Sequence, residues 1–198
     1  MESRLGLTFI LDGTGDLKST VGPEDVLHYI YAILHSPAYR LRYASFLKRD
    51  FPKVPLTTDQ ELFRTLAAIG AELERLHLFS SASELPSITR YPISGENKIQ
   101  GGYPKFLDAG EPEPGTGKPL EEPRIYINSR QYFEGAQHQV WEFEIGSYRV
   151  CEKWLKDRRG RQLSYEELNH YQKVILVLSE TIRLMEQIDE SIPSWPVQ

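Results

Sequence analysis

The sequence predicts an α+β fold, with a helical layer formed by N-terminal helices and the long C-terminal helix and a small, mostly antiparallel sheet from the central segment. Two capped segments with apolar residues at steps of three and four predict the longer helices. Short alternations of apolar and polar residues between them predict the strands. With 198 residues, 40% of them hydrophobic, the chain can bury a substantial core.

A single domain with four consecutive parts is expected. In chain order these are an N-terminal arm or strand at 1–22, a helical part at 23–79, a β-rich part at 80–148, and a basic short helix followed by the long C-terminal helix at 149–190. Residues 109–123 are rich in proline, glycine and glutamate, which predicts a mobile acidic loop within the β-rich part.

Two consecutive helices are expected at the start of the helical part. Pro23 suits the first turn of a helix over about 24–35, and Ser36 and Pro37 suit the N-cap and first turn of the next. The buried stripe of the first helix should consist of apolar residues three and four apart, Leu27, Ile30 and Leu34. The second helix should turn its large apolar residues inward, Tyr39, Tyr43, Phe46 and Leu47.

Capping boxes mark the start of two longer helices. Thr58 with Glu61, and Ser164 with Glu167, place a hydroxyl and a carboxylate three residues apart. The apolar seam after the first box is Leu62, Leu66, Ile69, Leu73 and Leu76. The seam after the second box is Leu168, Tyr171, Ile175, Leu178, Ile182 and Met185. We expect the last helix to pack on the first three, although a second copy of the chain would satisfy the same seams.

Three strands are expected in the β-rich part, at Ile88–Ile93, Arg124–Asn128 and Val140–Ile145. In the last of these, Trp141, Phe143 and Ile145 alternate with glutamates, as in a half-buried antiparallel strand. The apolar residues should therefore face the core and the polar residues the other side of the sheet.

Charge and cysteine content exclude several classes of protein. Acidic residues number 28 and basic residues 23, so any nucleic-acid binding must come from a local patch. The single Cys151 can form no internal disulfide, and no metal site is expected. The start lacks the order of a signal peptide and no apolar run has the length of a membrane span, which predicts a cytoplasmic protein with no membrane partner.

No catalytic centre or cofactor site is expected from the motifs. Gly115–Lys118 resembles a phosphate-binding loop, but Pro112 and Pro119 occupy positions that need a glycine and a hydroxyl residue. Glu96 and Lys98 resemble the end of a metal-dependent nuclease motif, but a three-residue pattern has little specificity. No two of the five histidines lie three or four residues apart, as zinc ligands on a helix would.

Residues 149–161 form a basic segment within an acidic protein. The segment carries six basic side chains against two acidic ones. It can bind phosphates through its charged groups, with release of counterions. Alternatively, it is the solvated end of a short helix terminated by Gly160. A second, weaker basic face has the same two interpretations and carries Arg40, Arg42, Lys48 and Arg49.

Three long phrases together resemble a known family. They are EDVLHYIYAILHSPAYRLRYASFLKRDFPKVPL, RIYINSRQYFEG and VWEFEIGSYRVCEKWLKDRRGRQLSYEELNHYQKVILVLSETIRLMEQID. They span roughly residues 24–189 and resemble the C-terminal specificity (target-recognition) domain of type ISP restriction-modification enzymes. In that family one polypeptide joins a nuclease, a helicase-like ATPase, an adenine-N6 DNA methyltransferase and a target-recognition domain.

The resemblance implies a DNA sequence-recognition module with no catalysis and no cofactor of its own. The implied partners are double-stranded DNA and the methyltransferase and helicase-like domains of the same or a neighbouring polypeptide. The sequence agrees, because it contains no methyltransferase motif, no helicase motif and no intact phosphate loop. The alternative is a helical protein-interaction or scaffold domain that docks onto the methyltransferase without contacting DNA.

Candidate DNA contacts follow from residue chemistry. Phosphate contact is assigned to cations of the basic segment, Lys153, Lys156, Arg158, Arg159 and Arg161. Base or sugar contact is assigned to Tyr126, Asn128, Arg130 and Gln131, because amides pair with adenine and arginine with guanine. Alternatively, the shared phrases hold the fold and variable loops at about 80–123 select the sequence.

Overall fold

The computed structural model describes residues 5–81 and 85–197. The chain divides into two units: the first consists of Met1–Ser81 with Thr181–Gln198, and the second of Ala82–Glu180. Within the described residues, no helix has both the length and the hydropathy needed to cross a membrane. Helices and small, largely antiparallel sheets together make the predicted α+β fold.

The first unit is helical apart from one pair of very short parallel strands. Its elements are β1 (Thr8–Phe9), β2 (Thr20–Val21), α1 (Pro23–His35), α2 (Pro37–Arg42), α3 (Ala44–Leu47) and α4 (Gln60–His77). The long last helix, α7 (Tyr165–Ser191), begins in the second unit and contributes its final turns to the first.

Helix α1 has the predicted extent but buries a different face. Tyr29, Ala32 and Ile33 are buried, whereas Leu27 is 52% exposed. The Tyr29 ring stacks on Phe63 of α4 with centroids 4.8 Å apart. The predicted stripe was therefore wrong, because a three-and-four spacing fits neighbouring faces of one helix and only the packing partner chooses between them.

Helices α2 and α3 replace the single helix predicted after Ser36. The Ser36 hydroxyl accepts a hydrogen bond from the Tyr39 amide at 3.0 Å, which confirms the predicted N-cap. Tyr39 is buried as expected, but Phe46 is 68% exposed and its inward orientation was wrong. Tyr43 interrupts the helix with φ −104° and ψ 16°, so the residues of α3 do not continue the side-chain periodicity of α2, and none of them is buried.

Helix α4 is capped one residue later than predicted. Asp59, not Thr58, accepts hydrogen bonds from the amides of Glu61 and Leu62. An aspartate is as good an N-cap as a threonine, so the sequence offered two adjacent caps. The seam from Leu66 to Leu76 is buried as predicted.

Helix α7 begins with the predicted capping box. The Glu167 amide donates to the Ser164 hydroxyl at 3.1 Å, and the Glu167 carboxylate accepts from the Ser164 amide at 3.0 Å. Toward its other end, Asp189 accepts from the Ala38 amide at 2.9 Å. The expected packing of the last helix on the early helices is thus found for its final turns.

The second unit carries most of the β-structure. Strands β3 (Lys105–Leu107), β4 (Arg124–Tyr126) and β5 (Tyr132–Glu134) form an antiparallel sheet with β4 in the centre. Helix α5 (His138–Trp141), the hairpin of β6 (Glu144–Ile145) and β7 (Tyr148–Arg149), and helix α6 (Val150–Lys156) follow.

Two predicted strands were wrong. Residues 88–93 contribute only an isolated bridge between Arg90 and Glu134. Residues 140–145 are divided between α5 and β6, and Ile145 is 64% exposed. Trp141 instead stacks on Phe106 of β3 with centroids 5.6 Å apart. This long-range contact favours the helical turn over the local alternation of apolar and polar residues.

The acidic loop predicted at 109–123 contains a hydrogen-bonded hairpin. The Glu113 amide donates to the Lys118 carbonyl at 2.7 Å, and the Leu120 amide to the Glu111 carbonyl at 2.9 Å. Glu113 also pairs with Arg124 of β4 at 2.5 Å. The hairpin is therefore tied to β4 through the side chain of Arg124.

Candidate nucleic-acid interface

Three segments of the second unit lie side by side. The Ile99 amide donates to the Arg161 carbonyl at 3.1 Å, and the Gly160 amide to the Ile99 carbonyl at 2.8 Å. On the other side, the Gln100 amide donates to the Ile127 carbonyl at 3.0 Å. Residues 97–100 are consequently held between the end of the basic segment and the turn that follows β4.

That turn is fixed by two buried amide side chains. Asn128 Oδ1 accepts from the amides of Arg130 and Gln131 at 3.0 and 2.8 Å. Gln131 Oε1 accepts from the Asn97 amide at 2.9 Å and from Asn128 Nδ2 at 3.0 Å. Asn128 and Gln131 are 6% and 3% exposed. The amide groups of Asn128 and Gln131 are therefore hydrogen-bonded to each other and to the backbone, whereas Arg130 is exposed on the turn.

Tyr126 is also buried, within an ionic cluster on β4. Its hydroxyl lies 3.3 Å from Arg124, whose guanidinium also pairs with Glu113 and Glu134. Burial alone would lower the pKa of Arg124, but the hydrogen bonds with Tyr126, Glu113 and Glu134 raise the pKa overall. The cluster gives Tyr126 a role in holding the acidic hairpin on the sheet.

Four of the five predicted phosphate-contacting cations are paired with carboxylates. Lys153 lies 2.5 Å from Asp157, and Lys156 lies 2.7 Å from Glu152. Glu167 Oε1 lies 3.0 Å from Arg161 and 3.4 Å from Arg158. Arg158 also stacks on Trp154, with its guanidinium carbon 3.7 Å from the ring centroid. The basic segment thus has much less free positive charge than its sequence indicates.

Arg159 is the exception within the basic segment. It is exposed, and its Nε donates to the Tyr103 carbonyl at 2.7 Å. Arg130 and Lys98 are exposed on the two neighbouring segments. Among the described ion pairs of residues 5–81 and 85–197, none involves Arg159, Arg130 or Lys98.

We call these three residues the free-cation cluster: Lys98, Arg130 and Arg159 lie on three adjacent segments. In the sequence, Lys98 belongs only to a weak nuclease motif. Local sequence could not have placed Lys98 beside Arg130 and Arg159. Residues 97–100 pair with segments that lie about 30 and 60 residues further along the chain. Within the part of the chain that the structure describes, no group of three His, Cys, Asp or Glu side chains could hold a metal ion.

The fold is similar to that of solved proteins bound to DNA. A nuclease-deletion mutant of the Type ISP restriction-modification enzyme LlaGI, in complex with a DNA substrate mimic, matches 91% of this chain and 14% of that chain, at 23% identity and a TM-score of 0.61. The ATP-dependent Type ISP restriction-modification enzyme LlaBIII bound to DNA matches 88% of this chain and 11% of that chain, at 23% identity and a TM-score of 0.59.

The DrdV–DNA complex is a third similar structure. It matches 83% of this chain and 18% of that chain, at 22% identity and a TM-score of 0.60. This chain therefore spans less than a fifth of the length of the solved chains that it matches. No curated protein sequence matches it.

The architecture is thus one found within restriction-modification enzymes. The family model described as the Type ISP C-terminal specificity domain matches residues 7–187, and the chain belongs to this family. The resemblance noted in the three sequence phrases is confirmed.

Proposed function

We propose that this domain recognises a DNA sequence and positions the methyltransferase and helicase-like motor of a restriction-modification system on it. Family membership over residues 7–187 is the observation that carries the proposal. The specificity of such an enzyme is its choice of DNA site, so a domain devoted to specificity has to bind DNA. The proposed partners are double-stranded DNA and the catalytic domains of the same or a neighbouring polypeptide, and the domain catalyses no reaction of its own.

The free-cation cluster is the proposed first point of contact with the phosphates. Unpaired guanidinium and ammonium groups gain most from a phosphate, because no existing ion pair has to be broken. Lys153, Lys156, Arg158 and Arg161 are proposed to join by exchanging a carboxylate for a phosphate. The exchange costs least at Lys153, because its pair with Asp157 is exposed and an exposed ion pair contributes only about 0–1 kcal/mol.

Arg130 is the proposed contact to a base edge. It stands on a turn that the amides of Asn128 and Gln131 hold rigid, and a guanidinium can pair with guanine through two hydrogen bonds. In this arrangement Asn128, Gln131 and Tyr126 act by positioning the turn and the sheet. Their predicted contacts with bases or sugars would require them to leave internal hydrogen bonds.

Salt-dependent binding of the domain to a pool of random duplexes tests the proposal. We expect Arg159→Gln to weaken binding to all sequences and to lower the slope of log affinity against log salt by about 0.9. Arg130→Gln should cost about 1–3 kcal/mol at one position of a selected sequence. Arg75→Gln is the matched control, because Arg75 is an exposed arginine of α4 that lies outside the basic segment, the weaker basic face and the free-cation cluster.

Loss of binding that is equal in Arg75→Gln and Arg159→Gln would contradict the assignment of the free-cation cluster. Absence of duplex binding by the domain, alone and together with its methyltransferase, would instead favour the scaffold alternative. In that case the domain would dock onto the methyltransferase without DNA contact.

A further inference from the structure

The weaker basic face of the first unit differs from the basic segment of the second. Residues 40–53 carry five basic side chains and one acidic one, Asp50. Within the described residues, no ion pair involves the exposed cations of this stretch, Arg42, Lys48, Arg49 and Lys53. Their charge is therefore available to a partner.

The same stretch exposes an unusual amount of apolar surface. Leu41, Phe46 and Phe51 are 82%, 68% and 90% exposed. Beside them lies a cavity of about 350 Å³. Its charged lining residues are Asp50 and Lys53, and the rest of its walls are apolar or aromatic, formed by Tyr39, Tyr43, Phe46, Leu47, Phe51, Pro52, Val54 and Pro55. We call this the α2–α3 groove. Large exposed apolar residues clustered around a concavity are typical of an interaction surface.

The groove is built on anchored backbone. The Tyr39 hydroxyl donates to the Lys53 carbonyl at 3.0 Å, and the Tyr29 hydroxyl donates to the Pro55 carbonyl at 2.8 Å. Both tyrosines are buried. The wall formed by residues 52–55 is thus fixed to the core, and the groove requires little ordering when a partner binds.

We propose that the α2–α3 groove binds an acidic protein segment that inserts an aromatic or aliphatic side chain into the cavity. Lys53 lines the groove, and Arg42, Lys48 and Arg49 are chain neighbours of its lining residues Tyr43, Leu47 and Asp50. These four cations outnumber the single carboxylate of the lining, Asp50, and therefore select for carboxylates, whereas the apolar walls select for an apolar anchor. Protein interfaces combine such an apolar, aromatic centre with a charged rim. A nucleic-acid backbone fits less well, because it would place charged phosphates against apolar walls and gain nothing from filling the cavity.

This proposal is independent of DNA recognition by the second unit. It requires neither Arg130 nor Arg159, and it makes no use of the family's function. The two proposals can therefore fail separately.

The experiment selects from a displayed library of random 12-residue peptides on the full chain. Enriched peptides are then measured by fluorescence anisotropy on Phe51→Ser, on Phe46→Ser and on the double variant Lys48→Glu/Arg49→Glu. Leu11→Ser is the matched control, because Leu11 is 94% exposed in the same unit and lies outside the groove. Thermal unfolding of each variant verifies that the fold is retained.

We expect the enriched peptides to be rich in Asp and Glu around a Phe, Trp, Leu or Ile. Binding should weaken at least tenfold in the groove variants, weaken with added salt, and remain unchanged in Leu11→Ser. The proposal is overturned if no peptide is enriched, if the enriched peptides lack acidic residues, or if the groove variants bind them normally. It is also overturned if the groove variants lose affinity for duplex DNA while the wild type binds no peptide.

Discussion

The carboxylate of Glu167 lies 3.0 Å from the guanidinium of Arg161, while its second oxygen accepts the Ser164 amide and caps α7. One side chain thus starts a helix and also neutralises part of the basic segment. The Ser164 hydrogen bond, followed by the charges of Arg161 and Arg158, holds the pKa of Glu167 below its usual range. Glu167 therefore remains charged at neutral pH, and it would compete with the phosphates that we propose as partners of both arginines.

Replacing Glu167 with glutamine should increase DNA affinity. The amide oxygen of Glu167→Gln can still accept the Ser164 amide, but the negative charge that competes with phosphate is lost. We expect the slope of log affinity against log salt to become steeper by about 1 and the free energy of unfolding to change by less than about 1 kcal/mol. Duplex titrations at several salt concentrations and urea unfolding measure the two effects.

Glu166→Gln is the control for this prediction. Glu166 is the neighbouring exposed glutamate in the first turn of α7, and its replacement changes the net charge by the same amount. A similar gain of affinity in both variants would mean that overall charge, and not release of Arg158 and Arg161, sets DNA binding.

The amide of Gln131 should be essential to the turn that carries Arg130. Gln131→Ala removes the acceptor of the Asn97 amide and one of the two acceptors of Asn128 Nδ2, whose other acceptor is the Lys98 carbonyl. An unsatisfied buried donor costs roughly 1–3 kcal/mol. Urea unfolding should show this loss, whereas Gln139→Ala, at an exposed glutamine of α5, should be nearly neutral. Equal stability of the two variants would show that the turn does not depend on the buried amides.

Gly70 should be required for the packing of α1 on α4. A methyl group on Gly70 would overlap the carbonyl oxygen of His28, which is backbone and cannot move aside without shifting the helix. We expect Gly70→Ala to destabilise the protein by roughly 1–3 kcal/mol or more, despite the better helix propensity of alanine. Gly101→Ala is the control, since its added methyl meets no atom within 4 Å. A neutral Gly70→Ala would mean that the two helices can separate at little cost.

The first unit should lose stability as the pH falls below neutrality. Burial lowers the pKa of both His35 and His77. The hydrogen bond with the Tyr31 carbonyl raises the pKa of His35, whereas the charges of Arg40 and His77 lower it further. The folded state then binds fewer protons than the unfolded state below about pH 6.5. The free energy of unfolding therefore has its full value above about pH 6.5. It decreases as the pH falls further, by up to about 1.4 kcal/mol per pH unit for each histidine.

His77→Gln tests this pH dependence. His77 lies 2.7 Å from the Tyr31 hydroxyl and 2.9 Å from Thr181, and a glutamine can keep hydrogen bonds to both. Urea unfolding between pH 7.5 and 5.5 should give a flatter profile for the variant than for the wild type. A profile that is identical in the two proteins would exclude His77 as a source of the pH dependence.

The sequence alone determined the family, the fold class and the start of several helices. The Ser36 cap and the capping box of Ser164 and Glu167 could be predicted because the groups that hydrogen-bond lie within three residues of each other. The family resemblance was carried by long phrases, which are visible without any knowledge of contacts.

Only the tertiary structure decided which charges are free and which faces are buried. Pairing of Arg158 and Arg161 with Glu167, exposure of Phe46, and the alignment of residues 97–100 between two distant segments all depend on contacts between residues that the sequence separates. Such contacts cannot be predicted from local secondary-structure propensity or from counts of charged residues. The basic segment that was conspicuous in the sequence is largely neutralised in the fold, and the weaker basic face is the one whose exposed cations stay unpaired among the described residues.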